Sequence, residues 1–251
     1  MRHGCHGDFA TFSQGGYGWV SHTWLRVEQK IKESNRMTFA RNPAVEIGLL
    51  LLLAGQAGVS HADVKAGEAI AKSGTGNISA CMLCHGLNGE GRPPAGFPRL
   101  AGQNRDYLVK QLKDFKAKLR TNPLMRPIAS ALNTAQMNDV ADYYASLPPW
   151  KPGTGPAQNT AQTPRGAQLA QHGNWDKGMP ACFACHGANG AGIPPHFPSI
   201  AGQNAVYISN QLNAWKAGTR INDPEGLMKA VADKLSPEDI SAVSAYLANP
   251  K

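Results

Sequence analysis

Two pentapeptides constrain this chain more than anything else in it: Cys81-Met82-Leu83-Cys84-His85 and Cys182-Phe183-Ala184-Cys185-His186. In each, two cysteines three positions apart fall on one side of a short helical turn, and a histidine follows at once. Thiols so placed can both form thioethers with the vinyl groups of one porphyrin. The histidine is then carried beneath the iron as an axial nitrogen ligand. The spacing therefore predicts two covalently bound haem c groups, attached through Cys81, Cys84, Cys182 and Cys185, with His85 and His186 as iron ligands. Zinc fits poorly, because one Cys-Cys-His cluster still lacks a fourth ligand. Four of the five cysteines lie in these motifs. The fifth, Cys5, has no partner cysteine beside it and makes no haem site.

The motifs belong to a longer repeat. Both copies read A-C-x-x-C-H-G-x-N-G-x-G, and a common frame follows. In the first it runs Pro93-Pro94, Phe97-Pro98, Ala101-Gly102-Gln103-Asn104, Tyr107, Gln111-Leu112, Lys116-Ala117 and Arg120. In the second it runs Pro194-Pro195, Phe197-Pro198, Ala201-Gly202-Gln203-Asn204, Tyr207, Gln211-Leu212, Lys216-Ala217 and Arg220. The first copy has one extra residue before its Phe-Pro, and the second has three extra after its arginine. Two copies are too few for a solenoid, so the chain is a duplicated domain.

Each copy reads as helices and loops, with no convincing strand alternation, and the predicted class is all-α. A short helix precedes each motif, around Val64–Lys72 and Arg165–Gln171. A longer one follows Gly-Gln-Asn, with Leu108, Leu112, Phe115 and Leu119 on its apolar side in one copy and Ile208, Leu212 and Trp215 in the other. Val140, Tyr143, Tyr144 and Leu147 mark the last helix of the first copy. Ser236-Pro237-Glu238-Asp239 starts that of the second, with serine as N-cap and acids near the positive end. Pro148 to Pro164 is rich in Pro, Gly, Thr and Gln, which makes a linker. Trp150 within it is expected to pack against a domain.

The N-terminal region has a different character. Met1 to Arg36 lacks periodicity and is expected to be an over-long start. Met37 to Ala62 carries Arg41, an apolar run over Ile47–Ala54 and Ser60-His61-Ala62, which together resemble a cleaved secretory signal peptide. The apolar run falls well short of the roughly 18–20 residues that span a bilayer. The expected domains are then residues 63–147 and 165–251, joined by the linker 148–164, and the expected location is periplasmic. Export normally suggests disulfides, but here the motif cysteines are reserved for thioethers. Two domains of this size have small side-chain cores, and a covalently held porphyrin supplies much of what each lacks. After Ala62 the chain carries a modest basic excess that haem propionates largely offset, so nucleic acid is not an expected partner. Lys110, Lys113, Lys116 and Lys118 form a positive stripe, read either as a solvated face or as a docking surface for an acidic redox partner.

A six-coordinate iron needs a ligand opposite the histidine, and the repeat supplies a test for it. Met125 stands seven residues before Leu132, and Met228 seven before Leu235. Their contexts agree, Leu-Met-Arg-Pro-Ile-Ala and Leu-Met-Lys-Ala-Val-Ala. The recurrence assigns Met125 and Met228 as thioether ligands rather than core filling. Met82, Met137 and Met179 have no methionine counterpart, and His172 and His196 are unmatched between copies and expected at the surface. The loop after each motif is expected to offer a backbone carbonyl to the axial histidine's other N–H.

The tandem motifs, the Phe-Pro and Ala-Gly-Gln-Asn segments and the lead-in Gly178-Met179-Pro180-Ala181-Cys182 together resemble the two-haem cytochrome c4 family. The resemblance implies two class I cytochrome c domains related by a pseudo-twofold axis, with haem propionate edges close across the interface. It implies His85 with Met125 and His186 with Met228 as axial pairs. It also implies a periplasmic carrier, soluble or peripherally attached to the membrane, and the expected state is a monomer. Such a carrier takes electrons from a quinol-oxidising complex or a dehydrogenase and passes them to a terminal oxidase. With both axial positions filled, the mechanism is outer-sphere electron transfer and no catalysis is expected. Two rival readings remain: a cytochrome subunit of a periplasmic dehydrogenase, and a haem enzyme such as a peroxidase or thiosulfate dehydrogenase.

Overall fold

The computed structural model describes residues 63–152, 164–223 and 225–250. The expected leader segments 1–36 and 37–62 lie outside the described residues, as does most of the linker. The first half folds as α1 (Val64–Ser73), α2 (Met82–His85), α3 (Arg105–Lys116), α4 (Met125–Ala131) and α5 (Thr134–Ser146). The second half repeats the order with α6 (Pro164–Gln171), α7 (Cys182–His186), α8 (Ala205–Lys216), α9 (Leu227–Lys234) and α10 (Pro237–Ala248). Among the described residues there are isolated bridges but no strands, so the class is all-α.

The helix ends follow from local chemistry. Asn104 and Asn204 cap α3 and α8, each side chain accepting from first-turn amides. Asn133 with Gln136, and Ser236 with Asp239, form capping boxes on α5 and α10. The Asn in each Ala-Gly-Gln-Asn segment is thus a helix start.

In each half the first and last helices cross closely, α1 on α5 and α6 on α10. Glycine makes the approach feasible. A Cβ on Gly67 would lie 2.0 Å from the Asp139 carbonyl oxygen, and one on Gly166 would lie 2.3 Å from that of Ala242. The cores differ in shape. In the second half one continuous cluster joins Leu169, Met179, Ile208, Leu212, Leu235, Ile240, Val243 and Tyr246. In the first half the buried apolar residues form two clusters, one around Leu108, Ala141 and Tyr144, the other around Ile70, Leu132, Met137 and Val140.

One expectation fails. Leu119 was placed on the apolar side of α3, but that helix ends at Lys116. Lys118 turns left-handed at φ 65°, and Leu119 emerges 43% exposed. Its backbone is used instead: the Ile221 N–H donates to the Leu119 carbonyl at 3.1 Å, across the two halves.

The halves meet through equivalent residues, as a pseudo-twofold relation requires. The Gln103 amide brackets Ser199, donating to its carbonyl at 2.9 Å and accepting from its N–H at 2.8 Å. Gln203 does the same to Arg99, at 3.0 and 2.8 Å. Asn204 Nδ2 donates to the carbonyls of Arg92, Pro93 and Phe97. Trp150 packs on a domain as expected: a Cβ on Gly202 would fall 1.9 Å from its ring.

Two of the four stripe lysines are committed to the fold. Lys110 pairs with Asp114 and donates to the Asn222 carbonyl at 2.8 Å. Lys116 donates to the Leu132 carbonyl at the end of α4, and Lys216 does the same to Leu235 at the end of α9.

Two expected outcomes follow from these contacts. Replacing both Gln103 and Gln203 by alanine strips partners from four backbone groups at the interface, at about 1–3 kcal/mol for each one left dry. Calorimetry of the haem-loaded chain should then show two unfolding transitions where the parent shows tighter coupling. In the second half, the Arg165 side chain donates to Asp239 at 2.7 Å and holds its carboxyl below the usual range. Such a group stabilises the fold above the ordinary carboxylate pKa, and the contribution is lost as pH falls through the lowered value. Arg165→Ala should therefore cost about 0.5–1 kcal/mol at neutral pH and nothing in strong acid, as read by urea melts at both pH values.

Candidate haem-binding sites

Each motif closes as a single turn. The His85 N–H donates to the Cys81 carbonyl at 2.9 Å, and α2 ends at Gly86, whose φ of 86° suits glycine. The next segment folds back beneath it. The Gly91 N–H donates to the His85 carbonyl at 2.7 Å, and the Leu100 and Ala101 amides both donate to Gly89. The second half repeats this with Gly192 on His186, and Ile200 and Ala201 on Gly190.

This return places the Phe-Pro pair against the histidine. His85 Nδ1 lies 2.9 Å from the Pro98 carbonyl oxygen, and His186 Nδ1 lies 2.8 Å from that of Pro198. A carbonyl can only accept, so Nδ1 carries the proton and Nε2 keeps its lone pair for a metal. Phe97 stands 6.3 Å from the His85 imidazole and tilted to it, and Phe197 stands 6.2 Å from that of His186 in a T-shaped arrangement. Both histidines are buried, and burial lowers their pKa against the opposing pull of the proline carbonyl. A neutral, oriented imidazole is what an iron ligand must be.

The four motif cysteines are not paired with one another as disulfides. Burial raises the Cys81 thiol, and it pushes the Cys182 thiol up to about 11. Among the described residues no group of three or more His, Cys, Asp or Glu side chains is arranged to hold a metal ion. Two thiols and an oriented imidazole within one turn fit a metal that arrives inside a macrocycle.

Met125 and Met228 are the first and second residues of α4 and α9, both half-buried. Each helix start is tied to the preceding loop. Asn122 Oδ1 accepts from the Leu124 and Met125 amides at 2.9 and 2.8 Å. In the longer second loop Asp223 takes that role, accepting from the Met228 and Lys229 amides. Met228 and Cys182 pack against the same core cluster. In the first half Cys81 packs against one cluster, and Ile128, on the helix that Met125 begins, packs against the other. Of the other methionines among the described residues, Met82 lies within the first motif, and Met137 and Met179 are core residues. His172 and His196 are exposed.

A cytochrome c family model matches residues 64–148 and 164–251. A protein of Thiocapsa roseopersicina named cytochrome c4 is 40% identical over 187 residues, covering 74% of this chain and 91% of that protein. The chain belongs to the two-haem cytochrome c4 family. It accordingly carries two covalently bound haem c groups, one at each C-x-x-C-H motif, and is an electron carrier of that type. Another relative, in Stutzerimonas stutzeri (strain A1501), is named thiosulfate dehydrogenase electron acceptor. It is 44% identical over 186 residues, covering 73% of this chain and 85% of that protein. Among solved structures, a thiosulfate dehydrogenase from Marichromatium purpuratum superposes with a TM-score of 0.67 at 36% identity over 74% of this chain. This chain spans 40% of that dehydrogenase chain.

Sequence reasoning missed several groups that hold the sites. Phe97 and Phe197, Asn122 and Asp223, and the glutamines of Gly-Gln-Asn were visible as residues but had no assigned task. Recurrence at matched positions was the available signal for the phenylalanines and glutamines. The Asn122-to-Asp223 exchange carried no such signal.

Covalent attachment gives a direct test. Cys182→Ala with Cys185→Ala should halve the haem that resists acid–acetone extraction, from two per chain to one, as measured by pyridine haemochrome spectra.

Proposed function

We propose that this chain is a periplasmic electron acceptor for a dehydrogenase of the thiosulfate-oxidising kind, and that it passes the electrons on to a terminal oxidase. The donor half of this reading is supported by the relative at 44% identity, whose name states that role. The observation that carries the carrier mechanism is the twice-built site: a buried, oriented imidazole at His85 and His186, and a methionine at the start of a tethered helix in each half. Export is supported by the leader-like segment 37–62 and by the haem c motifs themselves. No helix among the described residues is long and apolar enough to cross a membrane. A docking role for the lysine stripe falls to Lys113 and Lys118, because Lys110 and Lys116 hold the fold.

Each bound haem supplies one-electron chemistry at iron. The chain's residues fix the conditions for it. His85 and His186 present Nε2, oriented through Nδ1 by the proline carbonyls. Met125 and Met228 would hold the iron through their thioether sulfurs, and a thioether favours ferrous iron and so would raise the potential. Asn122 and Asp223 hold the methionine-bearing helix starts in place, so that little moves when an electron arrives. The glutamine exchange at Arg99 and Ser199 fixes one half against the other, which keeps the distance between the two centres constant.

The ligand assignment makes a separable expectation for each half. Met125→Ala and Met228→Ala should each abolish one thioether-to-iron charge-transfer band and lower one of the two potentials. Each variant should also take up one carbon monoxide per reduced chain where the parent takes up none. Unchanged spectra in both would remove the methionines from the iron. For the donor, stopped-flow reduction of the purified chain by thiosulfate should require the dehydrogenase. A chain reduced equally well by a quinol-oxidising complex, and not by the dehydrogenase, would overturn that part.

A further inference from the structure

The two sites are not copies in one respect. α8 carries Trp215 where α3 carries Phe115, in otherwise matching frames that end Lys-Ala and reach Arg220 and Arg120. Trp215 packs against the core cluster that also receives Cys182 and Met228. Its indole Nε1 is buried, and it has no hydrogen-bond partner among the described residues. A buried donor without an acceptor is costly, so this N–H is expected to meet an acceptor in the loaded protein.

The arginines nearby are also not ion-paired: the buried carboxylate of Asp114 is bonded to Lys110 and Asn222 rather than to either of them. The Arg220 guanidinium lies 3.8 Å from the Trp215 ring centroid, and that of Arg120 lies 4.6 Å from the Phe115 ring. Both arginines are at most 5% exposed. Their hydrogen-bond partners are neutral: Gln111, Gln211, Tyr107, Tyr207 and Asn222. Buried guanidinium groups call for an anion. The anions that a haem brings are its propionates.

We propose that Trp215 is a positioning residue for the second haem: its indole N–H donates to a propionate of that haem, and the first haem, beside Phe115, lacks such a donor. This rests on the reading of Cys182, Cys185 and His186 as a haem site. The bond turns the positive end of the N–H dipole toward a carboxylate that is part of the macrocycle. It offsets negative charge near the iron and so favours the ferrous state. The second haem therefore holds a higher potential than it would with phenylalanine at this position.

The test is Trp215→Phe, which places the first half's own side chain in the second half, together with the reciprocal Phe115→Trp. Met228→Ala identifies which potential belongs to the second haem. In Trp215→Phe the potential of the second haem should fall, with a several-fold drop in its ferrous-to-ferric ratio at a fixed applied potential, and that of the first should stay. Phe115→Trp should raise the first alone. In ¹⁵N-labelled wild type, the indole N–H signal missing from Trp215→Phe should be protected from solvent exchange and should move with the redox state of the second haem. If Trp215→Phe loses its second haem, Phe115→Trp and the wild-type indole signal decide. Unmoved potentials in a variant with both haems in place, or a freely exchanging indole N–H, overturn the proposal. A wild-type chain with only one acid-stable haem would instead overturn the site reading beneath it.

Discussion

The bond from each axial histidine to a proline carbonyl is the interaction on which the rest depends. Without it either ring nitrogen could carry the proton, and the ring could turn about its side-chain torsion. With it, Nδ1 is committed as donor and Nε2 is left as the metal-facing lone pair. The bond forms only because the chain returns to the motif about a dozen residues on. That return is built by Gly91 and Gly192, which donate to the histidine carbonyls, and by Gly89 and Gly190, whose carbonyls each accept two amides. Phe97 and Phe197 then press on the ring edges. The conspicuous glycines and the Phe-Pro pair thus serve one purpose, which is to hold a small heterocycle in one orientation.

The interface between the halves is polar, and its composition explains why it is also specific. Gln103 and Gln203 each satisfy both backbone groups of one residue in the opposite half. A shifted or rotated docking would leave these groups dry at once. Beside them Arg120 and Arg220 form a backbone bridge and share Gln111 and Gln211 as acceptors. Two like charges buried this close are unfavourable unless anions join them. Asp114 supplies one, held in this network through Asn222 and Lys110, and haem propionates reaching these arginines would supply more.

Much of this was legible in the sequence because the chain presents it twice. The cysteines, the histidines, the helix order and the pairing of Met125 with Met228 followed from spacing and recurrence. The Ser236 start of the last helix followed from local capping chemistry, and the structure shows the full box. What stayed hidden depends on tertiary approach. Leu119 has the right helical phase, but the left-handed turn at Lys118 ends the phase before it arrives. Lys110 and Lys116 look like surface charge, yet their amines end on carbonyls 112 and 16 residues away. Nor does any pattern in Gly-Gln-Asn announce that the asparagine caps its own helix while the glutamine reaches into the other half.

The three extra residues after Arg220 show how a duplicated site diverges without losing its function. In the short first loop Asn122 must cap the helix that begins with Met125, so it stays local. In the longer loop Asp223 assumes the cap, and this frees Asn222. Its side-chain amide crosses to the first half and donates to Gln111 and Asp114 at 2.8 and 2.7 Å. Its backbone carbonyl accepts from Lys110. The insertion thus converts a capping residue into an interface residue and makes a nearly symmetric contact one-sided. Asp114 has Ala214 as its counterpart, so the only carboxylate hydrogen-bonded into this cross-interface cluster, among the described residues, comes from the first half. The electrostatic surroundings of the two halves are therefore unequal, even though His85 and His186 are oriented alike.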